Sequence, residues 1–189
     1  SEETMNLRFS QLEDLARSSQ AEAASQAADA LDADLARIAE PWAHSLRYKT
    51  RIVHAQAMEE AGDVEGAIAA NRQLLIDPDM LRLDADREMR DTVRHNLAYS
   101  LLNSGGFPEA EALVRETLES ETRRLGTDHP QTLYTRKVLG QALHRQGRLE
   151  EAVPWYAEVY EKRRALYGDD HALTLNSGGQ LAAAYNTLD

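Results

Sequence analysis

An internal repeat with a period of 42 residues is the feature that most restricts the fold of this chain. When the sequence is shifted against itself by 42 positions, Gly105 meets Gly147 and Gly126 meets Gly168. The same ungapped register pairs Leu97 with Leu139, Leu101 with Leu143, Glu109-Ala110 with Glu151-Ala152, Asp128-His129 with Asp170-His171, and Thr132-Leu133 with Thr174-Leu175. Such a period is typical of repeat proteins, in which each unit buries apolar surface against its neighbours. The sequence therefore predicts an array of units rather than one closed core.

Each repeat is predicted to contain two helices. The first covers about 132–146 and has its apolar residues at the spacing of one helical face, at Val138, Leu139, Ala142 and Leu143. Gly147 is predicted to end this helix. The second helix covers about 149–166, and its expected inward-facing residues are Ala152, Trp155, Tyr156, Val159 and Tyr160. Asp170, and Asp128 one repeat earlier, are predicted to cap the helices that follow them.

The order of apolar, small and bulky residues within each unit identifies a family resemblance. One unit has Leu139-Gly140-x-x-Leu143 followed by Ala152-x-x-x-Tyr156, and the unit before it has Leu97-Ala98-x-x-Leu101 followed by Ala110-x-x-x-Val114. These segments resemble tetratricopeptide repeats (TPRs), in the 42-residue variety of kinesin light chains and bacterial signalling proteins. The resemblance implies an all-α, right-handed helical-repeat solenoid of antiparallel helix pairs. It also implies that the small residues lie where two paired helices approach closely.

The domain organisation follows from the repeat register. Residues 41–189 are interpreted as the TPR array, with repeats at about 48–90, 91–132 and 133–174 and a half-repeat or capping helix at 175–189. The linker Ile76-Asp77-Pro78-Asp79 marks a break inside the first of these. Residues 1–40 are interpreted as an N-terminal helical pair, acting as a cap or a degenerate repeat. Its helices are expected at 5–18 and 21–39, with Leu31, Leu35 and Ile38 on one stripe, and Pro41 is expected to end or kink the second.

Charge and composition exclude several classes of partner. The net charge of -11 argues against nucleic acid, because a phosphate backbone requires a basic surface. No apolar stretch approaches the 18 residues that a membrane-spanning helix needs, and the sequence begins without a basic, apolar leader. We therefore expect no membrane span and a cytoplasmic location, with a soluble extracytoplasmic domain as the alternative. The 29 alanines, against 10 glycines and 5 prolines, favour helices.

No sequence motif indicates catalysis. Phosphate-binding, dinucleotide-binding, serine-hydrolase and zinc-protease motifs are all missing, and there is no cysteine. His129 and His171 each follow an aspartate, but they occupy equivalent positions one repeat apart, which favours capping and packing over a shared metal site. We expect no catalytic residue, no metal ligand and no cofactor, so the chain is predicted not to be an enzyme.

The resemblance implies that the first helices of successive repeats line a concave face. When the register is projected onto that face, it selects nine polar and aromatic residues without a carboxylate: Lys49, Gln56, His95, Tyr99, Asn103, Tyr134, Lys137, Gln141 and Arg145. The same projection also selects Leu102, His144, Asn176 and Asn186, and the resemblance adds Asn96. Asn96 lies in an Asn-Leu-Ala run of the kind that such repeats use to hold a peptide backbone. A face of this composition suits an extended, acidic peptide.

The predicted function is a non-catalytic protein–protein interaction scaffold that binds a peptide or partner segment in this groove. The alternative is a regulatory or sensor segment of a larger bacterial signalling protein, such as a kinase, a transcription regulator or a nucleotide-driven switch. Two further alternatives concern the surface. The N-terminal helices could fill the groove, and the terminal helices could form a homodimer.

Overall fold

The computed structural model describes residues 1–18, 20–78 and 88–188, and within these ranges the chain forms helices and no strands. The helices are α1 (Glu2–Arg17), α2 (Ala21–Leu35), α3 (Pro41–Glu60), α4 (Val64–Ile76), α5 (Glu88–Ser104), α6 (Phe107–Leu125), α7 (Pro130–Arg145), α8 (Leu149–Tyr167) and α9 (Ala172–Leu188). The predicted all-α helical-repeat fold is therefore confirmed. In the described ranges, none of these helices is both long enough and apolar enough to span a bilayer.

The helix pair predicted from the repeat matches α7 and α8 within two residues at each end. The predicted C-terminal helix at 175–189 corresponds to α9, although Asp189 lies outside the described residues. Residues 79–87 also lie outside the described residues. They include Asp79, the last residue of the predicted linker, and part of the predicted repeat at 48–90. Pro41 occupies the first turn of α3, where its missing N–H has no intrahelical partner to lose.

The repeat period is visible in the backbone of the turns. Gly126 has φ +90° and ψ 168°, and Gly168, one repeat later, has φ +88° and ψ 169°. A side chain at this positive φ would be strained, so glycine at both positions lets α6 and α8 end in the same way. Gly147, which was predicted to end α7, also has a positive φ of 76°.

The caps of α7 and α9 correct the sequence prediction by one residue. The cap of α7 is His129, whose Nδ1 accepts a hydrogen bond of 3.2 Å from the backbone N–H of Gln131. His171 accepts the equivalent bond from the N–H of Leu173, also at 3.2 Å. Asp128 does not cap α7, because helical geometry begins at Pro130 and the cap is the residue directly before it. Its carboxylate instead lies 2.8 Å from Nζ of Lys162.

The chain forms two compact units, Ser1–Ser104 and Gly105–Asp189. In the first, α1, α2 and α3 share one apolar cluster, so the predicted domain boundary near residue 40 falls inside this unit. Leu31 and Leu35 of the predicted α2 stripe are each 1% exposed. Asp32 lies beside this cluster and accepts hydrogen bonds from Nε of Arg47 at 2.9 Å and of Arg51 at 2.8 Å. Although burial alone would raise the pKa of Asp32, these two arginines hold it below its ordinary value.

The second unit places α8 between α7 and α9, while α6 packs against α7. Val138, Leu139, Ala142 and Leu143 of α7 are buried, as the apolar pattern predicted, and Leu133 is fully buried as well. Gly140 lies against Tyr156 of α8, and a Cβ built on Gly140 would come within 2.8 Å of the Tyr156 ring. The small residue is thus needed for the close approach of α7 and α8.

A polar network joins α6 to the turn between α7 and α8. The carboxylate of Glu111 accepts hydrogen bonds from Gln146 Nε2 at 2.8 Å, Arg148 Nη1 at 2.6 Å and Arg115 Nε at 2.9 Å. Burial alone would raise the pKa of Glu111, but the bonds from Gln146 and Arg115 and the charge of Arg148 outweigh it and lower the pKa. This carboxylate is therefore held in its charged form by the folded unit.

Candidate functional site

In the second unit, four of the predicted site residues form one stripe along α7, here called the α7 face: Tyr134, Lys137, Gln141 and Arg145. Their spacing of three or four residues puts them on a single side of the helix, opposite the buried leucines. Tyr134 is 43% exposed and Arg145 is exposed, whereas Lys137 and Gln141 are partly buried. The helical period that buries one side of α7 therefore presents these polar residues on the other.

Aromatic rings hold the two cations of the α7 face. Nζ of Lys137 lies 4.6 Å from the centre of the Tyr134 ring. The guanidinium carbon of Arg145 lies 5.2 Å from the centre of the Phe107 ring at the start of α6. Both distances are within the range of cation–π attraction. These contacts order both cationic side chains on the surface of the unit.

Lys137 has a perturbed electrostatic environment. Burial lowers its pKa below the ordinary value, and the nearby positive charge of Arg163 lowers it further. Within the described ranges no carboxylate forms an ion pair with Lys137. The α7 face thus contains a partly desolvated cation that the unit itself leaves uncompensated.

In the first unit, the other six predicted residues lie on neighbouring helices and form what we call the α5 face: His95, Asn96, Tyr99 and Asn103 of α5, with Lys49 and Gln56 of α3. Tyr99 is 55% exposed, and Lys49 and Gln56 are exposed as well. Helices α3 and α5 contact each other directly. The register therefore placed side chains from successive first helices on adjacent surfaces.

Internal hydrogen bonds engage part of each amide of the α5 face. Gln56 Nε2 donates to Asn96 Oδ1 at 3.4 Å, and Asn103 Nδ2 donates to Glu59 Oε1 at 2.9 Å. Ser100 donates a short hydrogen bond to the same Glu59 carboxylate. A peptide that bound Asn103 would have to displace its bond to Glu59. The buried Nδ2 of Asn96, by contrast, has no hydrogen-bond partner among the described residues, so the α5 face keeps one free donor.

The sequence projection omitted two charged residues that matter for these faces. Glu59 brings a carboxylate against the α5 face. Gly62 and Gly105 are related by an offset of 43 residues, and the same offset aligns Glu59 with Leu102, a residue that the projection selected. Applying that offset to every position would have found it. Arg163 belongs to α8, a second helix, and a projection of first helices has no signal for it.

The histidines of the linkers have structural partners. Besides its cap, the His171 ring stacks on Tyr167, with 4.8 Å between the ring centres. Among the described residues, no group of three or more histidine, aspartate or glutamate side chains is arranged to hold a metal ion. The predicted capping role is confirmed for both histidines by the bonds that they accept at α7 and α9.

The family model described as a tetratricopeptide repeat matches residues 90–165 and 139–189, which together make up more than half of the chain. No curated protein matches the sequence.

Solved structures extend the likeness of fold to nearly the entire chain. A kinesin light chain-like protein from Podosopora anserina, with nearly identical TPR-like repeats, has a TM-score of 0.82 at 21% identity over 98% of this chain and 87% of that one. A singly substituted form of the same protein has the same TM-score over 98% and 86%. BtubC (BKLC) from P. vanneervenii has a TM-score of 0.66 at 18% identity over 93% of this chain and 66% of that one. At these identities the likeness concerns the fold alone.

Proposed function

Because this chain belongs to the tetratricopeptide-repeat family, whose repeats mediate protein–protein interaction, we propose that it is a non-catalytic scaffold that binds a peptide segment of a partner protein on its α7 face. The observation that carries the proposal is the state of Lys137. It is ordered against Tyr134, partly buried, and without a carboxylate partner in the described ranges.

The remaining residues of the α7 face suit a peptide main chain. The side chain of Gln141 forms no hydrogen bond to the residues that the structure describes, so its amide can both donate to and accept from a peptide group. Tyr134 supplies an exposed, rigid ring, a residue type enriched where proteins bind each other. Together these side chains combine apolar contact area with hydrogen-bonding groups.

Charge favours an acidic partner segment. The chain as a whole has a net charge of -11, yet the α7 face has two cations, Lys137 and Arg145, and no acid. Complementary charge across an interface speeds association and rejects wrong partners. An acidic peptide would therefore be attracted to this face although the chain as a whole is negatively charged.

The proposal is tested with peptides selected from a displayed library of random 12-residue sequences against the full chain. We expect the double variant Lys137→Ala with Arg145→Ala to weaken binding of selected peptides about tenfold or more, which corresponds to about 1.4 kcal/mol. The matched control is Arg123→Ala with Lys162→Ala. It removes the same two residue types from α6 and α8, where they pair with Glu119 and Asp128.

The control variant should bind the selected peptides with the affinity of the unaltered chain. Thermal unfolding followed by circular dichroism should show that both double variants remain folded. If no peptide is selected, or if the Lys137 and Arg145 double retains full affinity, the α7 face is not the binding surface.

A further inference from the structure

A cavity of about 610 Å³ lies between α3 and α4 in the first unit, and we call it the α3–α4 cavity. Helix α3 contributes Arg51, His54 and Met58, whose spacing puts them on one side of the helix. Lys49 and Gln56, the α3 members of the α5 face, lie about half a turn away, on the opposite side of α3. The cavity is therefore separate from the α5 face.

Much of the cavity wall is apolar. Besides Met58 it includes Ala70, Leu74 and Ile76 of α4, and Pro78, which follows that helix. Leu74 is 3% exposed, whereas Ile76 is 68% exposed, more than any other large apolar side chain in the described ranges. A volume of this size and an apolar lining are typical of small-molecule sites. A ligand in the cavity would take the exposed part of Ile76 out of water, which is favourable.

The charges of the cavity wall compensate each other. The described lining residues include one cation, Arg51, and one carboxylate, Asp77, with 3.8 Å between Nη1 and Oδ2. Nε of Arg51 also donates to Asp32 Oδ1 at 2.8 Å. A charged ligand would therefore lose its hydration without gaining an uncompensated partner charge. The electrostatics of the wall favour an uncharged ligand.

One hydrogen-bonding side chain of the wall is available to a ligand. Both ring nitrogens of His54 are engaged, since Nε2 shares a hydrogen bond of 2.8 Å with Ser25 Oγ and Nδ1 lies 3.5 Å from Asp29 Oδ1. Gln73 of α4 also lines the cavity, and its amide forms no hydrogen bond to residues 1–18, 20–78 or 88–188. Because an amide both donates and accepts, it can hold one polar group of a ligand.

We infer that the α3–α4 cavity binds an apolar, uncharged small molecule with one amide or hydroxyl group, which forms a hydrogen bond with Gln73. The apolar part of the ligand lies against Met58 and Ile76, and its polar group lies at the α4 wall. This site is independent of the proposed peptide site, because its lining residues belong to the first unit and α7 belongs to the second.

The inference is tested on the full chain with three compounds that share a six-carbon chain and differ in charge at pH 7: hexanamide, hexanoate and hexylammonium. The chain has four methionines, so a 13C label on their methyl groups gives four signals, and Met58→Leu identifies that of Met58. We expect hexanamide to shift the Met58 signal saturably and both ions to bind about tenfold more weakly. Pentanamide should bind about fourfold more weakly than hexanamide, because it buries one methylene group less. Absence of a saturable shift at Met58, or equal affinity for either ion, would overturn the inference.

A matched pair of alanine variants tests whether the ligand lies in the cavity. Ala70 lines the cavity and is half-buried, whereas its neighbour Ala69 is exposed and does not line it. Ala70→Phe should fill the cavity and abolish the saturable shift, while Ala69→Phe should leave the affinity for hexanamide unchanged. If Ala70→Phe does not fold, Ile76→Asn provides the second test, because it alters a side chain that is already exposed, and it should weaken binding. Full affinity in a folded Ala70→Phe, or in Ile76→Asn, would exclude the cavity as the site.

Two further measurements test the polar contact and the independence of the site. Gln73→Ala should weaken hexanamide binding about threefold, the contribution of one accessible hydrogen bond, and unchanged affinity would exclude Gln73 as the partner. Peptides selected in the test of the proposed function should bind Ala70→Phe with the affinity of the unaltered chain. Loss of peptide binding in this variant, when folded, would show that the two sites are not independent.

Discussion

The close approach of α7 and α8 at Gly140 can be tested by adding one methyl group. In Gly140→Ala the new Cβ would lie 2.8 Å from Cε1 and 3.0 Å from Cδ1 of Tyr156, distances that require the ring to move. Tyr156 is only 3% exposed, so its surroundings resist that movement. Alanine gains about 1 kcal/mol over glycine inside a helix. Overpacking of a filled core costs about 1–3 kcal/mol, so we expect a net loss of about 1 kcal/mol.

Two other helical glycines of the same unit provide a graded comparison. A Cβ on Gly178 would lie 3.2 Å from the Tyr160 ring, and one on Gly179 would meet nothing within 4 Å. Gly179→Ala should therefore gain the full helix propensity and raise the melting temperature by about 2–4 °C. Gly178→Ala should fall between the two, because Tyr160 is only partly buried and its ring can shift.

The assay is thermal and urea unfolding of the full chain, followed by circular dichroism. Gly140→Ala is also measured together with Tyr156→Val, which recreates the residues that the preceding repeat has at the same positions, Ala98 and Val114. In that background the alanine should become stabilising, because the ring it would meet is gone. An increase of the melting temperature in Gly140→Ala as large as that in Gly179→Ala would show that the Tyr156 ring does not resist the added methyl group.

Three further predictions concern electrostatics and caps. Because the pKa of Glu111 is lower in the folded than in the unfolded chain, its stabilisation is present above about pH 4.3 and is lost as the pH falls through the folded value. Glu111→Gln should therefore destabilise at pH 7 in urea titrations, and its difference from the unaltered chain should shrink as the pH falls through the folded pKa of Glu111; a difference independent of pH would contradict this. His129→Ala should cost about 1 kcal/mol through loss of the α7 cap, whereas His129→Asn should cost less. Asp63→Ala should cost a similar amount at α4, where the Asp63 carboxylate accepts from the N–H of Gly66 at 3.0 Å, and an unchanged midpoint in either alanine variant would argue against that cap.

The sequence was sufficient to predict α7 and α8, because apolar spacing and turn glycines act locally and recur with the period. It placed α7 within two residues at each end and identified Gly140 as a small residue at a close helix contact. Outside the clear repeats the prediction was less accurate, since α2 was expected at 21–39 and ends at Leu35. The N-terminal cap of α7 is one residue later than predicted, His129 instead of Asp128, because the helix begins at Pro130.

The register was sufficient to place the candidate residues on their helices, but it did not predict the contacts that side chains make between helices. The α7 face follows from a single helical period, so its four members lie together. The contact of Glu59 with Asn103 and that of Arg163 with Ser177 each join residues of different helices. Such contacts depend on the rotation and separation of packed helices, which the spacing of residues within one repeat does not encode.

The matching turns at Gly126 and Gly168 have a consequence for how a chain of this kind can change its length. The two glycines share nearly the same φ and ψ, and each ends a second helix. Removal of residues 126–167 would join Leu125 to Gly168, so the new junction would have the backbone geometry of the old one. A genetic event that deletes or duplicates 42 residues in this register would therefore introduce no strained bond at its seam. A deletion or duplication that begins or ends inside a helix would interrupt that helix, whereas a change of whole repeats in this register preserves every helix.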